Sequence, residues 1–199
     1  MIYIIWIEMA EEGSDIQKAS IIQADEYGNY EKIKNFDKEL EFVSFVLSQI
    51  DEHNPKIVTY HYNFISLLIK KALRYNLSGY GLFEKDNMML GKTKWENYLS
   101  RYSDHYHINL FDVINNYIGV NGATIDELSK ELQLPIIDNS SENSCEFKAY
   151  TIYIIYLKFE ILRGNILESD YRYILDGVMS QNFHEDLDPI VEFIANEQS

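Results

Sequence analysis

Few residues of this chain are of types that could do chemistry, and each has a plainer reading beside it. Glu8 closes the apolar run Ile2-Tyr3-Ile4-Ile5-Trp6-Ile7. Its carboxylate is therefore expected to be partly buried and to need a partner, because an unpaired buried charge is costly. His105 and His107, with Asp104 and Asp112, carry the imidazole and carboxylate groups that hold metals, but their spacing is not that of a tight metal site. Cys145 is the only cysteine. A helix N-terminus can acidify such a thiol, yet a buried small hydrophobe is the simpler expectation. Tyr150, Tyr153, Ile154, Tyr156, Leu157 and Ile161 recur at helical spacing. Rings of this kind can stack on bases, but with little basic company they read as a core-packing face. Glu185, Asp186 and Asp188, ahead of Pro189, read as a solvated helix-capping segment.

Composition narrows the function classes. The 199 residues fit one domain spanning 1–199, large enough for a core without staples. A single cysteine rules out an internal disulfide and a thiolate metal cage, and it suits a reducing cytosol. The apolar opening is short, lacks a basic leader and meets Glu8, so it reads as a buried strand rather than a signal peptide or membrane span. A cytoplasmic protein with no membrane partner is expected. The net charge of −15, from 17 Lys and Arg against 32 Asp and Glu, opposes the grip on a phosphate backbone that Lys and Arg provide. It lowers the expectation of a nucleic-acid partner and favours a protein partner.

The elements that must position these residues follow from pattern and punctuation. Residues 2–8 read as a strand, as do 18–24 and 29–33 on either side of the turn Asp25-Glu26-Tyr27-Gly28-Asn29. Asp37 is placed as the cap of a helix with Leu40, Val43, Leu47 and Ile50 on one face, ended by Asn54-Pro55. A strand at 56–61 precedes a helix through Leu67, Leu68, Lys71, Ala72 and Leu73. The segment 79–103 reads as loop with a short helix near Trp95 to Arg101, and 109–117 reads as helix. Thr124-Ile125-Asp126-Glu127 is a capping box, opening a helix that runs to Leu132 and stops before Pro135. Helices over 145–162, 168–181 and 185–196 complete the chain.

Ordered phrases along most of the chain carry a resemblance. Asn143-Ser144-Cys145-Glu146-Phe147-Lys148-Ala149-Tyr150-Thr151, running on to Phe159-Glu160-Ile161-Leu162-Arg163-Gly164, resembles the last motif of the predicted 3′-5′ exonucleases related to the proofreading domain of family B DNA polymerases. In that family the phrase is roughly Tyr-Cys-Glu-x-Asp-Val, then a helix ending Phe-Glu-Leu-Leu-Arg-Gly. Leu67 to Leu73, Arg101-Tyr102 with His107 to Val113, and Ala123 to Pro135 are similar to further phrases of the family, where His107 stands for a structural histidine. The resemblance implies an α/β, ribonuclease-H-like fold: a mixed sheet, made of an antiparallel meander plus parallel strands, covered by helices, with a helical C-terminal half.

It also implies a chemistry, metal-assisted phosphodiester hydrolysis. Two divalent cations about 3.5–4 Å apart activate water and stabilise the leaving oxygen, and such hard cations take oxygen ligands from a cluster of acidic residues. In this chain that cluster is depleted. The opening motif Phe-Asp-Ile-Glu becomes Ile5-Trp6-Ile7-Glu8, which keeps Glu8 but puts Trp6 at the aspartate position. The second motif falls on His61-Tyr62-Asn63-Phe64-Ile65-Ser66, and no Asp or Glu lies between Ile57 and Leu73. In the third, Ser144 replaces the tyrosine and Lys148 the aspartate.

The expectation is a pseudonuclease with a protein-interaction or regulatory role and no cofactor. Its vestigial site comprises Trp6, Glu8, Asn63, Phe64, Ser144 and Lys148, with Lys148 turned toward Glu8 in place of a cation. The alternative is an active Mg²⁺- or Mn²⁺-dependent 3′-5′ exonuclease on single-stranded nucleic acid, drawing on Glu8 with Glu142 or Glu146.

Overall fold

The structure, a computed structural model, describes residues 1–10, 15–60, 63–84, 93–99, 106–117, 124–138, 140–180 and 183–197. Its centre is β1 (Ile2–Met9), whose β-branched run pleats into a strand with Ile2 to Ile5 all buried. β2 (Ile16–Ala24) and β3 (Tyr30–Phe36) continue from it as an antiparallel meander. On the other side β4 (Lys56–Thr59) and β5 (His107–Asn109) add in parallel, giving the order β3-β2-β1-β4-β5. The mixed sheet with its helical cover is the α/β, ribonuclease-H-like architecture implied by the motif order.

Alternation along β1 sends its side chains into two cores. Tyr3, Ile5 and Ile7 join a core under α1 (Glu39–His53) and α2 (Phe64–Arg74), with Phe42, Val43, Val46 and Ile50. Ile2 and Ile4 face α7 (Ser144–Leu162). That helix is apolar nearly all round, with everything from Phe147 to Leu157 buried. A helix of this kind must be covered on both sides. The sheet lies beneath it, and α8 (Glu168–Met179) and α9 (Asp188–Glu197) share its core on the other side.

Several boundaries differ from the sequence expectation, for local reasons. Asp37 is not the cap of α1. Lys38 holds that position in extended backbone without a side-chain bond, and Glu39 and Glu41 in the first turn face the helix dipole instead. β5 has no counterpart in the sequence reading and takes Asn109 from the expected helix over 109–117: three residues pair with β4 before α5 (Leu110–Tyr117) begins. Within 79–103, α3 (Tyr80–Phe83) and α4 (Lys94–Leu99) form. The capping box at Thr124 and Glu127 forms with both reciprocal bonds and starts α6 (Ile125–Glu131). The expected last helix is divided into a 3-10 turn at Glu185–Leu187 and α9.

Candidate functional site

Two adjacent rungs connect β1 to the first turns of α7. Same-face strand residues two apart are separated by about 6.6 Å, and helix residues four apart by about 6 Å. The spacing of Trp6 and Glu8 therefore fits that of Lys148 and Ser144. Glu8 Oε1 accepts a hydrogen bond from Ser144 Oγ at 2.7 Å, and the Lys148 ammonium lies 5.3 Å from the centroid of the Trp6 ring. The sequence expects Lys148 to neutralise Glu8. The structure gives that carboxylate a hydroxyl partner and sets the ammonium over the indole face, a contact typically worth about 0.5–2 kcal/mol. Ser144 and Lys148 are both buried. Trp6 Nε1 is buried with no hydrogen-bond partner among the described residues.

Asn63 and Phe64 are not brought to these rungs. Asn63 sits at the N-terminus of α2 in left-handed conformation (φ 62°), exposed, with no capping bond from its side chain. Phe64 is buried in the core under α1, its ring 6.4 Å from that of Phe42 and 6.5 Å from His107. His61 and Tyr62 lie outside the described residues.

Around the rungs, residues 141–146 are tied down on two sides. Strand register carries Trp6 to Ser20 and Ser20 to Asn35, and Glu8 to Lys18. Ser20 Oγ donates to Asn35 Oδ1 at 2.7 Å, and Asn35 Nδ2 donates to Glu146 at 2.6 Å. Lys18 Nζ donates to the Glu142 carbonyl at 3.0 Å. From the other side Asp186 accepts from Ser141 Oγ at 2.9 Å and Asn143 Nδ2 at 3.1 Å, so this acidic segment is a tether as well as a helix start. Lys18, Ser20 and Asn35 escaped the sequence reading because only strand register assembles them. The cavity they line with Cys145 is about 180 Å³, below the roughly 300 Å³ lower bound of ligand pockets.

Burial pushes the Cys145 thiol up to about 12, with Glu8 reinforcing and Ser20 opposing. It is a packed side chain rather than a nucleophile. Burial likewise lowers His107 to about 4, so the ring is neutral near pH 7. It is paired with Thr59 Oγ1 at 3.0 Å and the Tyr98 carbonyl at 3.2 Å, which makes it a strut between β4, β5 and α4. Asp112 accepts from Asn109 Nδ2 at 3.1 Å, while Asp104 and His105 lie outside the described residues. Among the described residues no three His, Cys, Asp or Glu side chains converge as a metal would need.

A second charged cluster, unforeseen in the sequence, sits on the opposite face of the sheet. Lys71, 1% exposed, reaches Asp15 at 2.8 Å and Glu39 at 2.7 Å. Glu39 also accepts from the Ile16 N–H at 2.5 Å and the Tyr75 hydroxyl at 2.7 Å. Lys71 follows Leu68 on the buried side of α2, a position where a lysine needs a partner. That was the one available signal.

A family model described as predicted 3′-5′ exonucleases related to the exonuclease domain of PolB matches residues 14–136. Asn63 and Phe64 lie inside the matched stretch; Trp6, Glu8, Ser144 and Lys148 lie outside it. Comparison with curated proteins and with solved structures gave no match. No described helix is long and apolar enough to cross a membrane.

Proposed function

Because the chain belongs to the family of predicted 3′-5′ exonucleases related to the exonuclease domain of PolB, we propose that it is a catalytically degenerate member acting through protein interaction. The observation that carries this reading is the content of the two rungs. Of Trp6, Glu8, Ser144 and Lys148, only Glu8 offers carboxylate oxygens, and Ser144 already donates to it. A hard divalent cation takes about six oxygen ligands, and an indole with an ammonium above it supplies none. Glu146, a candidate substitute ligand, is engaged by Asn35 on the β3 side. These groups do not fit a two-metal centre, and no hydrolytic step is derived from them. The acidity of the chain, −15 overall, also favours a basic protein partner over nucleic acid. A cytoplasmic setting goes with this reading, supported by the single, buried thiol.

The test is hydrolysis of end-labelled single-stranded DNA and RNA with Mg²⁺ or Mn²⁺. Both strands are expected to remain intact. Steady mononucleotide release that disappears in Glu8→Gln would overturn the proposal in favour of an active exonuclease.

A further inference from the structure

At the end of the sheet remote from the Glu8 rungs lies a cavity of about 330 Å³, walled by the β2–β3 turn, the last turns of α7 and the start of α8. Its volume is at the bottom of the roughly 300–1,000 Å³ range of ligand pockets, enough for one side chain rather than a large cofactor. The rim carries Tyr27 and Tyr173, 70% and 72% exposed. The lining holds three carboxylates, Glu26, Glu160 and Asp170, against one cation, Lys56.

The walls are fixed before anything binds. Asp25 accepts from the Tyr27 and Asn29 backbone N–H groups at 2.9 and 2.8 Å, which holds the turn. Tyr153 donates to the Gly28 carbonyl at 2.5 Å and pins that turn to α7. Gly28, at φ +92°, lies so close that an added Cβ would meet Leu157 at 3.2 Å. Glu160, 4% exposed, is oriented by Arg163 at 3.2 Å and Asn165 at 2.9 Å. Tyr156 is only 2% exposed and lines the cavity, yet its hydroxyl makes no hydrogen bond among the described residues. The side chain is held by burial while its hydroxyl stays open to the cavity, where it can donate to or accept from an outside partner.

We propose that this cavity receives an arginine side chain from a basic segment of a partner protein. A guanidinium brings donors in a planar fork and no acceptor. The fork meets Tyr156 and the carboxylates, and its face stacks on exposed tyrosine rings. Phosphates would meet the same carboxylates with Lys56 as their only cationic contact in the lining, so nucleic acid is the poorer occupant. Rigid walls reduce the ordering cost of binding. The inference rests on the protein-interaction reading above, while the cavity itself shares no lining residue with the Glu8 rungs.

The probe is a fluorescent Gly-Arg-Gly-Arg-Gly peptide, titrated against the full chain near physiological salt. Glu26→Lys/Asp170→Lys is expected to weaken binding about tenfold or more, and Tyr173→Ala about fivefold. The equally large charge change Glu131→Lys/Glu192→Lys, at exposed positions outside the cavity lining, is expected to leave affinity within about twofold. Equal weakening by both swaps would reduce the effect to overall charge and overturn the site, as would absence of binding. Tighter binding of free arginine than of the peptide would overturn the partner assignment. If strand hydrolysis is found while peptide binding holds, the degenerate-nuclease reading fails and the surface stands. If neither is found, the surface alone fails.

Discussion

Ser144 and Glu8 form the side-chain contact that joins the end of β1 to the start of α7. The hydroxyl satisfies a half-buried carboxylate at 2.7 Å. Hydrogen bonds to charged groups contribute about 1.5–3 kcal/mol, and Glu8 is half-buried, so Ser144→Ala is expected to cost about 1–2 kcal/mol in urea denaturation. In a Glu8→Gln background the same substitution should cost measurably less, because the charge it serves is gone. Equal costs in both backgrounds would mean that Ser144 acts through helix packing alone. The residue identities at these rungs were legible in the sequence: Trp6 and Lys148 stand at positions where the family resemblance places carboxylates. Which group would satisfy Glu8 was not legible, because the choice between Ser144 and Lys148 depends on how α7 is rotated over β1.

Between elements, the Lys71 cluster binds the start of β2, the first turn of α1 and the last turn of α2. Burial alone would raise the Glu39 carboxyl, but Lys71, the Ile16 N–H and the Tyr75 hydroxyl outweigh it and hold it below its ordinary 4.5. Burial alone would lower Lys71, yet Asp15 and Glu39 hold it above 10.5. The sign for Glu39 is that of a depressed acid: its stabilisation is present above about pH 4.5 and is lost as pH falls through the folded value. The Lys71 contribution is present below its ordinary value and is lost as pH rises through the folded one. Glu39→Gln is therefore expected to cost about 2 kcal/mol near pH 7, and the gap from wild type should close as urea midpoints are followed below pH 4. A gap constant with pH would remove the charge from the explanation. Elements defined by short-range signals were legible in advance: the capping box at Thr124, the Tyr27-Gly28 turn and the Ile-rich β1. Those defined by distant partners were not. β5 is three residues long and exists only because β4 offers it an edge, and a buried lysine on α2 is intelligible only once Asp15 and Glu39 arrive beside it.

For the whole molecule, charge and topology make separate demands. The net −15 repels itself in the compact state. Salt shortens the reach of that repulsion to about 8 Å at 0.15 M. The melting temperature is therefore expected to rise by a few degrees between very low salt and about 0.15 M. A fall would mean that ion pairs such as the Lys71 cluster outweigh the repulsion.

Cys145, the only cysteine, is buried between α7 and the sheet, 4% exposed, with its thiol pushed up to about 12 by burial. A thiol-modifying reagent finds little thiolate and a sulfur reached only through a cavity of about 180 Å³, so labelling is expected to report mainly excursions in which α7 parts from β1 and β2. The chain thus carries a built-in clock for its own opening. Alkylation is expected to be slow and to accelerate with urea at nearly the slope of global unfolding. A rate indifferent to urea would reveal instead that the helix start frays alone, releasing Ser144 and its hold on Glu8 while the sheet stays whole.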